Sequence, residues 1–181
     1  RCQTEDSTPL GQKIKDYMDV GALVPDELTT RMILEEVFAT ESDDGFVLDG
    51  FPRNIYQAVT LDNALKERGR AVDIAMYIKA SKDEVVKRLT GRLVCQNCHS
   101  NYHKELSPPR KLGICDQCDN KLIQRDDDKK RALMKRLDVY EVQTTPLLEH
   151  YRTQGSLVEV DGTAPREVVT NDILDAIILP K

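Results

Sequence analysis

The stretch Phe46-Val47-Leu48-Asp49-Gly50-Phe51-Pro52-Arg53, with Gln57 four residues on, decides the fold class. Three apolar residues run into an acid, a glycine, a proline and an arginine. An apolar run bounded by turn residues predicts the end of a strand buried on both faces. Gly50 permits a sharp turn or a close approach of a ligand to the backbone, and Pro52 ends any ladder. Arg53 and Gln57 stand at i and i+4 and are expected on one face of the following helix. An acid, a guanidinium fork and an amide are thereby gathered at the carboxyl end of a strand, where α/β proteins bind ligands. An ordinary strand-to-helix turn with a surface arginine has the same look, so the rest of the chain must discriminate.

Working outward, Thr8-Pro9 reads as an N-cap and first helical residue, followed by Leu10, Ile14, Tyr17 and Met18 at helical spacing and a stop at Gly21. Pro25-Asp26-Glu27 opens a second helix with acids in its first turn. Beyond the opening stretch, residues 55–68 form a helix that ends at Gly69, and Val72 to Ile78 forms a strand. Ser81 and Glu84 make a capping box for another helix. Leu133, Leu137, Tyr140, Thr144, Leu147, Leu148 and Tyr151 recur at steps of three and four, with Pro146 expected to kink or divide that run. Leu157 to Val160 is a third strand, and a last helix runs from Pro165 to Ile178. This alternation predicts an α/β domain with a parallel sheet and right-handed crossovers. Three strands are few for such a sheet, and the chain begins at Arg1 rather than Met, so a further piece is expected.

The 181 residues, 40% hydrophobic and 31% charged, suffice for one folded domain carrying a small insert. No apolar run approaches the ~20 residues of a membrane span, and no signal-peptide pattern is present. A net charge of −5 argues against general electrostatic binding to DNA or RNA, although not against a local basic pocket for a small anion. Five cysteines, four of them in two C-x-x-C pairs, suit metal binding in a reducing compartment. A cytoplasmic location is expected.

Helical periodicity vanishes between Gly91 and Arg125, which reads as a small inserted subdomain. Cys95-Gln96-Asn97-Cys98 and Cys115-Asp116-Gln117-Cys118 are separated by 16 residues, within the range of a four-thiolate zinc site. Such a site is tetrahedral, closed and structural. Redox dithiols usually come as one pair, not two. His99 and His103 are spare ligands that the set does not need, and Cys2 stands alone. A segment of about 35 residues has too little core to fold unaided, so the metal would keep it rigid.

Two arginines stand at each root of the insert: Arg88 and Arg92 before it, Arg125 and Arg136 after it. Arg88 and Arg92 are at i and i+4, and Arg125 and Arg136 are three helical turns apart, near one face if the helix already runs there. Arginine is suited to bidentate contact with phosphate. An insert with such roots reads as a lid that brings charge onto a polyphosphate, which is what phosphoryl transfer requires. Pairing of these arginines with Asp126, Asp127, Asp128 and Asp138 is the alternative.

Taken together these residues resemble the adenylate kinase family, in its long bacterial form with a zinc-bearing lid. The likeness runs in order through Gly21-Ala22-Leu23-Val24-Pro25-Asp26-Glu27, the opening stretch with Gln57, the lid cysteines, Tyr102-His103, Pro108-Pro109, Gln124-Arg125, Lys135-Arg136-Leu137, Thr145-Pro146-Leu147 and Asp161-Gly162-Thr163. The resemblance implies a P-loop nucleoside monophosphate kinase fold and reversible phosphoryl transfer from Mg-ATP to AMP, giving two ADP. It implies an AMP-binding flap over residues 1–38, a core over 39–90 and 126–181, and a zinc-binding lid over 91–125. Arg1 and Arg53 would hold the AMP phosphate, Gln57 would read its adenine, Leu23 and Val24 would line that pocket, and Gly50 would pass close to AMP. Asp49 would orient water on magnesium. Arg88 would stack on the ATP adenine, and Gly162, Thr163 and Ala164 would touch that base through backbone atoms. Arg92, Arg125 and Arg136 would clamp the transferring phosphate, Arg125 and Arg136 also reaching AMP, with Asp127 and Asp128 as braces. A monomer is expected, with no nucleic-acid or membrane partner.

Three departures stand out. Asn54 replaces a usual Thr at a helix start, where Asn caps equally well. Leu93 follows Arg92 where a second Arg is common. No G-x-x-x-x-G-K-S/T occurs in these residues, whereas the family opens with a strand and that phosphate loop ahead of the AMP flap, the strand lying in the sheet between Phe46–Asp49 and Val72–Ile78. A slot in the sheet, poor stability and little turnover are therefore expected of the chain as written. Another nucleoside monophosphate kinase, a zinc-ribbon binding module and a pseudoenzyme remain as alternatives.

Overall fold

The computed structural model describes residues 11, 24–39 and 45–178. The expected helix over residues 8–20 falls outside them except for Gly11, as do Arg1 and Leu23. Helix α1 (Asp26–Ala39) begins right after Pro25 with Asp26 and Glu27 in its first turn, as the dipole favours. Helix α2 (Ile55–Lys66) is capped by Asn54, whose side chain accepts the Gln57 N–H. Strand β1 (Ala75–Lys79) leads into helix α3 (Lys82–Thr90), capped by Ser81 through the Glu84 N–H as the capping box predicts. The long periodic run divides as expected: helix α4 (Lys130–Gln143) and helix α5 (Thr145–Gln154) meet at Thr144, and Pro146 sits in the first turn of α5, where no N–H is needed. Strand β5 (Leu157–Asp161) and helix α6 (Arg166–Ile178) complete the domain.

β1 and β5 pair in parallel, from Ala75 opposite Leu157 to Lys79 opposite Asp161. Val37, Phe51, Leu61 and Leu65 form one buried cluster, against which Phe46, Leu48 and Val72 pack. Ala58, Leu147 and Tyr151 form a second, with Val72, Ala75 and Leu157 at its margin. Val72 touches both, so α1, α2, α5 and the sheet share a continuous apolar interior.

The strand expected over Phe46–Asp49 does not form. Residues 45–48 have no ladder partner among the described residues, and Val47 is 94% exposed. Apolar periodicity marks a segment that could enter a sheet, but a strand exists only where a neighbour satisfies its N–H and C=O groups. Phe46 and Leu48 still bury one side of the segment against the α1–α2 cluster, which fixes the approach to Gly50.

The insert is a small separate sheet. Strand β2 (Arg92–Cys95) lies between strands β3 (Asn101–His103) and β4 (Leu122–Ile123), antiparallel to both. Its core is Cys95, Cys115 and Leu122, flanked by Leu93, Tyr102 and Cys118. Three short strands bury little apolar surface, so the cysteines supply much of its interior.

Candidate active site and metal centre

The opening stretch folds into a compact hydrogen-bonded turn. Gly50 has φ +73°, open to glycine without strain, and its carbonyl accepts from Arg53 Nε at 2.7 Å. The Arg53 N–H donates to Gln57 Oε1 at 2.7 Å, and the Arg53 carbonyl accepts from the Thr144 hydroxyl at 2.9 Å. Arg53 thus lies ahead of α2, not on one helix face with Gln57 as the spacing suggested. The helix starts two residues later because Pro52 and the Asn54 cap set its entry. The two residues meet all the same, through backbone and amide.

Asp26, at the start of α1, was not among the residues singled out for function. Its two carboxylate oxygens accept from Gln57 Nε2 and Asn54 Nδ2, both at 2.7 Å. Charge-assisted bonds of this kind orient the buried Gln57 amide and tie the first turn of α1 to the first turn of α2. Its 31-residue separation from Gln57 hid this contact; the only local signal was an acid in a helix first turn, which the dipole already explains. Asp49 is exposed at the rim of the turn, and Val24 is partly buried just ahead of α1.

The four arginines at the roots of the insert sort into two groups. Arg88 donates through Nη1 to the Gly162 carbonyl at 2.6 Å and through Nε to Glu84 at 2.6 Å. Gly162 in turn donates to the Lys79 carbonyl at 2.8 Å, so this loop is stitched to the carboxyl ends of both parallel strands. Ala164 closes that loop on the Asp161 carbonyl at 3.4 Å. Asp161 accepts from both the hydroxyl (2.6 Å) and the N–H (2.9 Å) of Thr163. Those two bonds hold its carboxyl below the usual range.

The other three arginines converge on two aspartates. Arg92 grips Asp128 with two bonds, Nε at 2.8 Å and Nη2 at 2.7 Å, and Asp128 is fully buried. Arg125 grips Asp127 through Nε (2.9 Å) and Nη2 (2.8 Å), and Arg136 Nη1 reaches Asp127 at 3.0 Å and Asp128 at 3.5 Å. Burial pushes the Asp127 carboxyl up, but the Arg125 hydrogen bond and the charges of Arg125 and Arg136 outweigh it and hold it below 3.8. The helical spacings expected for these arginines do not apply. α3 ends at Thr90, before Arg92, and Arg125 precedes the single 3-10 turn Asp126–Asp128, before α4 begins. The aspartates, not a helix face, bring them together. Three guanidiniums against two carboxylates leave net positive charge and free donors on each fork. Among the described residues no hydrogen bond or ion pair joins these arginines to Arg53 or Gln57.

In the insert, Cys95, Cys98, Cys115 and Cys118 bring their sulfurs within 4.8 Å of one another, and all four are free thiols. Cys95–Cys118 and Cys98–Cys115 are 3.4 Å apart and Cys98–Cys118 3.5 Å. Sulfurs at the corners of a tetrahedron about 2.3 Å from zinc lie roughly 3.8 Å apart, so the four fit that ion. The two knuckles repeat one design. His99 donates to the Cys95 carbonyl (3.1 Å) and Asp119 to the Cys115 carbonyl (3.0 Å), and both residues have positive φ, 60° and 55°. His and Asp tolerate that region better than most side chains. The Asn120 backbone and the Asn97 side chain bring the Cys118 thiol down to about 6. The Cys98 N–H acts to lower Cys95, but burial and the neighbouring sulfurs push it up to about 11. Tyr102 accepts the Asp116 N–H at 2.8 Å and places its hydroxyl 3.6 Å from Cys115 Sγ, where it supports a thiolate. His103 lies outside the sulfur group.

A family model described as adenylate kinase matches residues 1–156, which takes in the turn, the insert and the four arginines at its roots. The chain belongs to the adenylate kinase family. It is 43% identical over 177 residues to an adenylate kinase of Geobacter sp. (strain M21), covering 98% of this chain and 83% of the relative. An adenylate kinase of Carboxydothermus hydrogenoformans is 45% identical over 177 residues, with the same coverage of 98% and 83%. One from Caldanaerobacter subterraneus is 43% identical over 178 residues, covering 98% of this chain and 80% of the relative. This adenylate kinase-family chain is a nucleoside monophosphate kinase. The insert lies inside the family match. Among the described residues no helix is long and apolar enough to cross a membrane.

Proposed function

We propose that the chain transfers the γ-phosphoryl group of Mg-ATP to AMP, reversibly, with the Gly50–Gln57 turn as the acceptor site and residues 91–125 as a zinc-stiffened lid. The observation that carries this reading is the convergence of Arg92, Arg125 and Arg136 on Asp127 and Asp128. Carboxylates preorganise the guanidiniums before substrate arrives, and their net positive charge suits the charge spread over a transferring phosphoryl group. Arg53, beside Gly50, holds the AMP phosphate together with Arg1. Gln57, its amide fixed by Asp26, reads the adenine edge, and Leu23 and Val24 line the pocket. Arg125 and Arg136 extend to the acceptor phosphate. Arg88, beside Gly162–Ala164, packs on the ATP base.

The four cysteines would hold zinc, whose part is to keep the lid folded. Asp49, an exposed hard-oxygen donor, suits the water shell of the magnesium that accompanies ATP. Closure of the two flaps, residues 1–38 and 91–125 on a core of 39–90 and 126–181, excludes water that would otherwise accept the phosphoryl group. The protein works in the cytoplasm as a monomer, without nucleic acid.

ADP formation measured with AMP, GMP and UMP as acceptors tests this, the ranking rather than the absolute rate being the readout. AMP should rank first. A higher kcat/KM with GMP or UMP would reassign the acceptor.

A further inference from the structure

The neck of the insert carries an arrangement that none of the nucleotide contacts uses. His103 is buried where β3 meets the last turn of α3. Its Nδ1 accepts the N–H groups of Glu105 at 3.0 Å and Leu106 at 2.9 Å. A ring nitrogen that accepts two hydrogens carries no proton, so the proton of the neutral ring sits on Nε2. Nε2 faces the Lys87 carbonyl at 3.4 Å. The imidazole also lies against Gly91, where a Cβ would fall 2.2 Å from Nε2 and 2.4 Å from Cε1. Gly91 has φ −88°, which any residue adopts, so glycine is required there for space and not for backbone freedom.

The same neck is crossed twice more. Lys104 N–H donates to the Gly91 carbonyl at 2.9 Å. Gln124, on the second root, donates to the Thr90 carbonyl at 2.9 Å and reaches the Asp128 carbonyl at 3.5 Å. Arg92 is the residue opposite His103 in the β2–β3 ladder, and Arg92 is the one that grips Asp128.

We propose that His103 is a positioning residue. It seats the insert on the last turn of α3, so that the first root is held rigid across Gly91 and Arg92 keeps a fixed place on it. This rests on the reading of the insert as a lid over nucleotide. It places bending outside Gly91, although a glycine at the root of an insert invites assignment as the hinge.

Three measurements on the full chain test it. Imidazole nitrogen shifts should show His103 as the Nε2–H form. Amide exchange at Glu105 and Leu106 should be slow, and about tenfold or more faster in His103→Ala. His103→Asn, which keeps an acceptor near the Nδ1 position, should restore much of the protection, and metal content should stay at one zinc per chain throughout. Gly91→Ala should mimic His103→Ala, and the double variant Gly91→Ala/His103→Ala should be no worse than either single one. With the seat lost, KM for Mg-ATP should rise several-fold while KM for AMP holds. An Nδ1–H ring, unchanged exchange in His103→Ala, or additive effects in the double variant would overturn the seat. Lost protection with an unchanged KM for Mg-ATP would overturn its link to nucleotide while leaving the seat standing.

Discussion

Gly162 has no room for a side chain: an added Cβ would lie 2.6 Å from Ile78 Cγ2 and 3.0 Å from the Lys79 carbonyl. Gly162→Ala should lower stability by about 1–3 kcal/mol, as overpacking does. It should also loosen the Arg88 contact, and a denaturant midpoint checks the first effect. Asp127 gives a pH prediction. Its carboxyl lies below its ordinary 3.8 in the folded chain, so the folded state favours the charged form. The stabilisation is complete above the ordinary carboxylate range and fades as pH falls through the lowered value. Asp127→Asn should therefore flatten the acid limb of a stability–pH curve below about pH 4 and leave its slope near neutrality unchanged. At this scale the sequence was legible where the chemistry is local. Ser81 with Glu84 and Asn54 ahead of α2 were readable as caps. Asp26 on Gln57 and Gln124 on Thr90 were not, because each joins residues about thirty apart.

The insert is the element whose order depends most on one interaction. Its buried core is two cysteines and one leucine, so a zinc held by the four thiolates would be what keeps the knuckles together. Cys115→Ser should abolish retention of one zinc per chain, read by metal analysis after dialysis. Amide exchange should then quicken across residues 92–123 and stay slow in α2 and α5; retention of zinc would sink the four-thiolate assignment. The knuckles were legible because ligand spacing is a local code. The segment Phe46–Asp49 was misread because strand status is settled by a neighbour's hydrogen bonds, which apolar periodicity does not encode. The helical spacings drawn through Arg88–Arg92 and Arg125–Arg136 failed for a related reason. Spacing speaks only inside a helix, and both pairs straddle a helix end.

Across the whole molecule, Arg92, Arg125 and Arg136 are tied together through Asp127 and Asp128 and the Gly50–Gln57 turn is tied to α1, with no direct polar link between the two groups among the described residues. That separation predicts separable phenotypes. Arg136→Ala should lower kcat by about 100-fold or more, with a smaller loss of AMP affinity in the absence of ATP, since on the proposed reading its charge serves the transferring group and also reaches the acceptor phosphate. Arg92→Ala should cost stability as well, up to about 3–5 kcal/mol, because it leaves the fully buried Asp128 carboxylate only the longer 3.5 Å contact with Arg136. The most direct measurement of the account is an AMP titration followed by backbone amide shifts, repeated with Arg53→Ala. Saturable shifts at Gly50, Arg53 and Gln57 that weaken at least about tenfold in Arg53→Ala, and that GMP does not reproduce, are the predicted result. Equal responses to AMP and GMP, or AMP shifts confined to residues 92–123, would contradict it.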